Sequence, residues 1–405
     1  MSSWIIEPRE PLIVRDGRPF DPQPGVVATS LPFPFPSTIA GAVRTRAGSE
    51  NGVFTTREED LPELLELQIR GPLLVELLGD GQERLLVPAP GDALLLEGDE
   101  PLRCKPCVPL KPFPGAHLPS IQGPNGTQLA PVGQEEYEAE KPAKNPPAFW
   151  YWDRFTEWLG NPAGINEGLS RQSLGIPALP QEEQRVHVSL EPGTNVAREG
   201  ALFATRGLEF TAQPFPPGKA SLSQARRLAL WLDVEGQKGD NIEQELASLG
   251  GERRLVRWQK SRLNLENLSE PLDQLSAQIA EIGACRLLLL TPAYFQRGYL
   301  PDAESWEHEG VRPELHAALV QRPQVVSGWN LAKPGAKPTR RLAPAGSVFF
   351  LKFPTTADRQ AIECWVRHFW MRCISDDRQA CLDGFGLAVL GTWDGGTKEM
   401  RIKGE

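Results

Sequence analysis

The chain has 405 residues, of which 40% are hydrophobic and 23% charged, and its formal net charge is −9. No stretch approaches the ~20 apolar residues of a membrane span, and the first residues lack the basic and apolar regions of a secretory signal, so we expect a cytoplasmic protein. This length is sufficient for two compact domains. The 39 prolines are roughly twice the average usage, which predicts many ordered loops and few long helices.

The first half predicts a strand, a helix and further strands in that order. A strand is expected at 4–7, a helix at 37–46 and strands at 67–78 and 84–87, with 92–97 continuing the sheet. This order is most of a ferredoxin-like, β-α-β-β-α-β unit. Residues 101–147 are rich in proline, glycine and acids and are interpreted as an insertion, followed by a helix at 153–159 that aromatic residues anchor.

The second half also mixes strands and helices, as expected of a second ferredoxin-like unit. The predicted strands are 184–190, 200–210, 226–234, 255–258, 285–290, 347–353 and 387–390, and the predicted helices are 241–249, 271–282 and 356–372. Gly250 and Gly251 are interpreted as the stop of the helix at 241–249. We therefore predict an α+β fold of two ferredoxin-like (RRM-like) units, 1–210 with an insertion at about 101–165, and 211–405.

The segment 31–46 combines a rigid loop with a helix start. Prolines at alternate positions of 32–36 hold the backbone extended. Ser37 then follows as the predicted N-cap, and the helix N-terminus that it opens is able to bind an anion. Two arginines, Arg15 and Arg18, lie in a tight turn just upstream. A capped helix after a proline loop, without a ligand, is the alternative interpretation.

Positive charge is concentrated in two segments despite the negative net charge. Residues 315–357 contain six arginines and lysines and no acid, and 250–262 contain five against the single Glu252. A basic strip on an acidic body is expected of an RNA-binding subunit within a larger assembly. Ordinary surface charge with chance clustering is the alternative.

Three later segments join glycine or aromatic residues to this charge. The glycines of 250–251 precede two arginines, and glycines allow a polymer backbone to approach while arginines form forked bonds to phosphate. Every charged residue of the loop 333–341 is basic. The loop follows Trp329, which offers a face for base stacking. The glycine-rich loop 384–386 predicts backbone amides that cradle phosphate. A helix cap and bland loops are the alternatives.

No enzyme signature or metal site is predicted, and we expect no cofactor. The phosphate-loop, dinucleotide, serine-hydrolase and H-E-x-x-H motifs are absent from the sequence. His187 is the least implausible acid–base candidate. Two sets of potential metal ligands, Cys104 and Cys107 with His117, and Cys364, His368, Cys373 and Cys381, are interpreted as reduced cysteines packed as small apolar residues.

The order of these motifs resembles a known family over nearly the whole chain. The run IIEPREPLIVRDGRPFD followed by SLPFPFPSTIAGAVRTR, with later blocks LGGERR, VSGWN, KPTRR, PAGSV and LDGFGLA, is similar to the third subunits of the Cmr complex. Cmr is the type III-B CRISPR effector, and these subunits belong to the RAMP superfamily.

The resemblance implies a non-catalytic subunit that captures the 5′ repeat-derived tag of CRISPR RNA (crRNA) for antiviral defence. Its implied partners are crRNA, the large polymerase/cyclase-like Cmr subunit and the neighbouring backbone RAMP subunit, with no membrane. A metal-independent RAMP endoribonuclease that processes precursor crRNA is the alternative. The candidate RNA-binding residues are Arg15, Arg18, Ser37, Thr38, Arg44, Gly250, Gly251, Arg253, Arg254, Trp329, Lys337, Arg340, Arg341, Gly384, Phe385 and Gly386.

Overall fold

The structure is a computed structural model. It describes residues 1–15, 27–28, 30–96, 102–111, 126, 128–137, 141–165, 168–176, 180–212, 225–327, 329–330, 335–336 and 338–402. Over these ranges, every helix is too short or too polar to cross a membrane.

The strands β1 to β28 run in chain order. They are Ser2–Pro8, Val27–Ala28, Ser49–Glu50, Val53–Phe54, Gln68–Leu77, Glu83–Pro88, Ala93–Leu96, Arg103–Pro109, Val132–Gln134, Glu136–Tyr137, Phe149–Tyr151, Gly175–Ile176, Gln181–Leu190, Ala197–Glu209, Thr211–Ala212, Arg226–Glu235, Leu246–Leu249, Arg254–Lys260, Ala284–Leu289, Glu314–Leu319, Gln324–Val326, Trp329–Asn330, Gly335–Ala336, Arg340–Leu342, Val348–Lys352, Arg372–Cys373, Leu387–Thr392 and Arg401–Ile402.

Helices are fewer and mostly short. The helices α1 to α8 are Pro36–Ala47, Leu61–Leu65, Trp152–Gly160, Arg171–Leu174, Leu265–Leu268, Leu272–Ile282, Arg359–Phe369 and Arg378–Asp383. Single 3₁₀ turns occupy Glu58–Asp60, Gln237–Asn241, Gly251–Arg253 and Ala303–Trp306. The predicted helices 153–159, 271–282 and 356–372 are confirmed as α3, α6 and α7, because each presents apolar residues at helical spacing.

The first sheet is antiparallel and has β1 near its centre. Its order is β12-β11-β6-β5-β16-β1-β18-β17, with β15 beside β16. Successive side chains of a strand point to opposite faces. Ile5 accordingly joins one core cluster while Trp4 and Ile6 join the other, which includes residues of α1. Both faces of β1 are buried, which explains its continuous apolar run.

The second sheet is also antiparallel, in the order β20-β25-β19-β27-β26. All six residues of β19 are buried. On α7, Ile362, Trp365, Val366 and Phe369 form one apolar face and join the same core cluster as β19. This spacing of three and four residues is the one that puts side chains on a single face of a helix.

One core cluster connects the two sheets. It contains Ile5 and Val75 of the first sheet together with Leu287 of the second. A buried ion pair joins Arg286 of β19 to Asp92, which directly precedes β7. The Nη2 of Arg286 also donates to the carbonyl oxygen of Trp158 at 2.8 Å, so the buried charge is compensated on several sides.

Each large sheet contains four adjacent strands whose spatial order, numbered by their position in the sequence, is the same. In the first sheet β5-β16-β1-β18 are adjacent, and in the second β20-β25-β19-β27 are adjacent. Numbered along the chain within each set, both orders are 2-3-1-4. In the first set α1 lies between the first two strands in sequence, and in the second α7 lies between the last two. The molecule is thus a mixed α and β protein with large antiparallel sheets, compatible with the predicted α+β class.

The predicted helix at 241–249 is wrong. A 3₁₀ turn ends at Asn241, and Leu246–Leu249 forms β17, paired with β18 from Leu246↔Arg257 to Leu249↔Arg254. Gly250 and Gly251 therefore belong to a strand-to-strand turn and do not stop a helix. A nine-residue helix is marginal by itself, and the hydrogen bonds offered by β18 prevail over it.

The domain boundary predicted at 210/211 stays a prediction. The chain passes from the first sheet to the second later than this boundary. Residues 226–260 supply β16, β17 and β18 of the first sheet, and the second sheet begins with β19 at Ala284. The segment interpreted as an insertion contributes β8 and β9, which form a small sheet with β7.

Candidate nucleic-acid interface

A cleft of about 310 Å³ brings together three motifs that are distant in sequence. We call it the motif cleft. Its lining residues are Ser37, Tyr294, Val326, Ser327, Pro338, Arg340, Leu342, Asp377, Gln379, Ala380, Asp383 and Phe385. Residue 37 comes from the proline–helix segment, residues 326–340 from the basic loop region and Phe385 from the glycine-rich loop. The sheets and α8 thus assemble predicted site residues that are up to 348 positions apart in the chain.

Arg340 is the cation of the motif cleft. Its guanidinium lies 4.3 Å from the ring centre of Tyr294, within cation–π range. Its Nη2 is 3.5 Å from Oδ2 of Asp377, a loose ion pair, and 39% of its side chain stays exposed. Arg340 therefore keeps room to contact a ligand. Arg341 alternates to the other side of β24 and is exposed, and its side chain has no hydrogen-bond or ion-pair partner among the described residues.

The backbone holds Tyr294 and Asp377 in place. The amide of Tyr294 donates to the Ser375 hydroxyl at 3.1 Å, and its carbonyl accepts from the Asp376 amide at 3.0 Å. Asp377 is the N-cap of α8, since its Oδ1 accepts from the Ala380 amide at 2.8 Å. The backbone of Tyr294 and the carboxylate of Asp377 are thus held by bonds within the chain.

Ser37 lines the motif cleft but is not the N-cap of α1, as the sequence predicted. The N-cap is Phe35, without a side-chain cap, and Pro36 opens the helix. Proline suits that first position because its φ is preset and its missing N–H would have no partner there. The amide of Thr38 donates to the carbonyl of Phe35 at 3.0 Å, so it is used within the turn.

The glycine-rich loop is packed against other parts of the chain. Gly384 has φ of +102°, and a Cβ there would lie 2.6 Å from the carbonyl oxygen of Gly71. Phe385 is buried, and its ring centre is 6.4 Å from that of Phe35. The amides of 384–386 donate to carbonyls of Cys381, Ala380 and Pro292. The expectation that these amides cradle phosphate is therefore wrong, because they are already bonded within the chain.

Arg44 also serves internal contacts. Its Nη1 lies 2.6 Å from Oδ1 of Asp383, and its Nε donates to the carbonyl of Leu64 at 3.0 Å. Only 14% of its side chain is exposed. Arg44 thereby fastens α1 to the end of α8, behind the motif cleft.

A second group of predicted residues gathers at what we call the β17–β18 turn, residues 250–254. The Gly251 amide donates to the carbonyl of Ile13 at 2.7 Å, and a Cβ on Gly250 would lie 2.3 Å from that same oxygen. A Cβ on Gly251 would be 3.4 Å from Nε of Arg15. The two glycines thus let this turn approach residues 13–15 closely.

The two arginines of the β17–β18 turn differ in setting. Arg254 is buried and forms ion pairs with Glu10 at 2.8 Å and Glu252 at 2.9 Å. The Leu255 amide and Arg254 hold the pKa of Glu10 below its usual value. Arg253 has a left-handed backbone with φ of +50°, is exposed, and has no bonded partner within the described ranges. Arg253 is the free cation of the pair.

Three candidate residues lie at the limits of the description. Arg18 and Lys337 fall outside the described residues, and only the backbone of Trp329 is described, in β22 paired with β23. Tyr294 and Asp377 were not among the predicted site residues. Tyr294 had a sequence signal, since it opens the aromatic segment YFQRGY, whereas nothing in the sequence marks Asp377.

The histidine and cysteine candidates occupy structural settings. Nε2 of His187 lies 2.9 Å from the Thr205 hydroxyl, and its ring stacks on Phe203 with centres 5.2 Å apart. Cys104 and Cys107, three apart on β8, fall on opposite faces of that strand. Burial raises the pKa of the Cys107 thiol to about 11, so this thiol is protonated at neutral pH.

Comparisons with known proteins agree with the motif pattern. A family profile described as CRISPR-associated protein (Cas_Cmr3) matches residues 4–393. Among solved structures, the chain is similar to a chain of the type III-B Cmr-beta complex bound to cognate target RNA, with 17% identity, 86% of each chain covered and a TM-score of 0.43. A chain of the Csm3–Csm4 subcomplex of the type III-A CRISPR-Cas interference complex is similar at 9% identity, covering 88% of this chain and 94% of that one, with a TM-score of 0.36.

No curated protein matches the chain. The family profile nevertheless spans almost all of it, including the proline–helix segment, the β17–β18 turn and the motif cleft. The resemblance to Cmr third subunits, first seen in short motifs, is thereby confirmed. The chain belongs to the Cas_Cmr3 family of CRISPR-associated proteins.

Proposed function

We propose that this protein is a non-catalytic guide-RNA-binding subunit of a type III-B Cmr effector that captures the 5′ repeat-derived tag of crRNA. The observation that carries the proposal is the convergence of Ser37, Arg340 and Phe385, from three separate motifs, on one cleft. The exposed Arg341 follows Arg340 directly in the chain. In this proposal Arg340 and Arg341 contact the RNA backbone, and splayed tag bases stack on nearby aromatic faces.

The fold that presents the cleft is proposed to consist of two ferredoxin-like units. The shared strand order 2-3-1-4 supports this, since it is the order of a β-α-β-β-α-β sheet with one helix of each unit replaced by loops or short turns. We accordingly propose that the first unit extends to about residue 260. Docking of the large polymerase/cyclase-like subunit and of a neighbouring backbone RAMP subunit, in the cytoplasm, belongs to the same proposal.

The proposal assigns no catalytic residue. Cleavage by general acid–base chemistry needs titratable groups placed around a reactive 2′-hydroxyl. His187, the candidate named from the sequence, bonds to Thr205 and stacks on Phe203 on the β13–β14 hairpin. Sequence specificity for the target would come from guide pairing and not from this chain.

The test is binding of labelled guide RNA, with and without its 5′ tag, to the protein co-expressed with its large-subunit partner. We expect tag-dependent binding that weakens in Arg340→Ala and Arg341→Ala, with a shallower salt dependence as phosphate contacts are lost. Arg359→Ala on α7 is the matched control, because this exposed arginine lies outside the motif cleft and pairs with Glu363, one turn along the same helix, at 2.9 Å.

Equal binding of tagged and untagged RNA, unaffected by Arg340→Ala or Arg341→Ala, contradicts tag capture. Shortened RNA in the same reactions, in the presence of EDTA and lost in His187→Ala, would instead establish the endoribonuclease.

A further inference from the structure

Three potential metal ligands of different chemistry meet outside the lining of the motif cleft. They are His308, Glu309 and Cys364, whose ligand atoms all lie within 4.8 Å of one another. The Sγ of Cys364 is 3.3 Å from Oε2 of Glu309 and 3.9 Å from Nε2 of His308. Oε1 of Glu309 is 4.0 Å from the same imidazole nitrogen. Among the described residues this is the cluster of such groups close enough to share one ion.

The fold holds the two halves of this cluster together. His308 and Val311 form a β-bridge across a tight turn in which Glu309 and Gly310 have φ of +48° and +78°. Cys364 comes from α7, and the next residue, Trp365, donates its Nε1–H to the carbonyl of Trp306 at 2.7 Å. This buried bond fastens the turn to the helix, so the relative positions of the three ligands depend on rigid elements.

We propose that His308, Glu309 and Cys364 form a Zn²⁺ site. Thiolate sulfur and imidazole nitrogen are the ligands that zinc prefers, and a carboxylate is a frequent third. Around a tetrahedral zinc, with bonds of about 2.0–2.3 Å, neighbouring ligand atoms are about 3.3–3.6 Å apart. The observed separations require shifts of a few tenths of an ångström to about 0.7 Å, within the reach of side-chain rotation. A water or a partner's side chain would take the fourth position.

Binding of Zn²⁺ at this site releases the thiol proton of Cys364. In the metal-free protein the Cys364 thiol donates its hydrogen to Glu309. On binding, the S–H bond breaks, a sulfur–zinc bond forms with the sulfur lone pair, and the proton leaves to the buffer. Glu309 exchanges the thiol hydrogen for the metal, so its carboxylate has a partner in both states.

The sequence grouped Cys364 with His368, Cys373 and Cys381 as potential metal ligands. In the structure, Cys364 is the member of that group that lies in the cluster with His308 and Glu309. The ring of His368 stacks on that of His308, with centres 3.5 Å apart and planes at 14°. Two parallel rings at this spacing do not direct their nitrogens at a single ion, so His368 forms a wall of the site. Cys381 instead donates to the carbonyl of Ser375 at 3.0 Å, and Cys373 is buried.

The test uses the full-length protein, reduced and freed of metal by dialysis against a chelator. Titration with Zn²⁺ against a chromophoric competitor should give one equivalent bound per chain, and Co²⁺ should give a sulfur-to-cobalt charge-transfer band. Cys364→Ser should abolish that band. Glu309→Gln, at an exposed position, should weaken Zn²⁺ affinity at least about tenfold, as even residues outside the direct ligand set commonly change affinity by about 10–100-fold.

Cys107→Ser is the matched control, since Cys107 is also a half-buried free cysteine and should leave the stoichiometry and the band unchanged. Zn²⁺ should raise the thermal midpoint of the wild type and of Cys107→Ser, but not that of Cys364→Ser. Absence of tight Zn²⁺ binding in the wild type, or a charge-transfer band that survives in Cys364→Ser, overturns the proposal.

Discussion

The motif cleft and the β17–β18 turn carry similar residues in different electrostatic settings. Each involves one of two consecutive arginines beside a residue from the amino-terminal segment, Arg340 near Ser37 in the cleft and Arg254 near Glu10 at the turn. In the turn, Arg254 is buried between the carboxylates of Glu10 and Glu252. In the cleft, Arg340 lies over the ring of Tyr294 and contacts one carboxylate only loosely. An arginine balanced by two acids retains little positive potential for phosphate, whereas one on an aromatic face retains most of it.

Residues whose polar groups are bonded within the chain are expected to stabilise the fold, and exposed arginines with few partners are expected to contact a ligand. Substitutions in the glycine-rich loop and at Arg254 are therefore expected to change stability, and those at Arg340, Arg341 and Arg253 to change RNA binding.

The largest effect is expected for Gly384→Ala behind the motif cleft. Its Cβ would lie 2.6 Å from a backbone oxygen at a left-handed φ of +102°, so we expect a loss of about 3 kcal/mol or more in the free energy of unfolding. Gly283→Ala is the control: it follows α6 at φ of +73° with open space around the site and should cost about 1 kcal/mol. Denaturant unfolding measures both, and equal losses would contradict the packing argument.

Arg254→Ala should come next, with a loss of about 2 kcal/mol in stability, because it leaves two partly buried carboxylates without their cation. Arg253→Ala, one residue earlier and exposed, should change stability by less than about 0.5 kcal/mol. Thermal or urea unfolding of the two variants compares them directly. A similar loss in both would mean that Arg253 also has a structural partner.

The loss of stability caused by Arg254→Ala should depend on pH. The Leu255 amide and Arg254 lower the pKa of Glu10 in the folded protein. A lowered carboxylate pKa stabilises the fold above the unfolded value of about 4.3, and this stabilisation is lost as the pH falls through the folded value. Wild type and variant should therefore converge in stability below about pH 4, measured by unfolding in a pH series. A deficit constant over that range would exclude the Glu10 contact as its source.

A double-mutant cycle on Arg340 and Tyr294 tests whether the tyrosine ring orients the guanidinium in the motif cleft. Cation–π pairs at partly exposed sites contribute about 0.5–1 kcal/mol. Arg340→Ala and Tyr294→Leu should therefore show a coupling of this size in the free energy of tagged-RNA binding. Additive effects would mean that the ring does not orient the guanidinium.

The smallest expected effect is that of Arg253→Ala on RNA affinity. If this free cation contacts one phosphate, the slope of log affinity against log salt should fall by about 0.7. Filter binding over a salt series measures the slope, with Arg359→Ala as the reference. An unchanged slope would leave the motif cleft as the contact region and assign the β17–β18 turn to the fold.

Part of this site was visible in the sequence because its chemistry is local. The basic run with Trp329, the proline–helix segment and the glycine-rich loop were each recognisable as motifs. Their individual roles were less so: the Arg44 and Arg254 ion pairs involve acids at 383 and 10, and the Gly386 amide bonds to the carbonyl of Pro292. These partners lie far away in the sequence, and no local pattern marks them.

Motifs in a fixed order were enough to indicate the family, and apolar spacing was enough to indicate the amphipathic helix α7 and the buried strands β1 and β19. Tertiary structure decided which segments became neighbours. It made residues 246–249 a strand because β18 offered an open edge, and it brought Ser37, Arg340 and Phe385 to one cleft. It also joined His308 and Glu309 to Cys364. Periodicity encodes which face of an element is buried, but the partner that buries it depends on long-range packing.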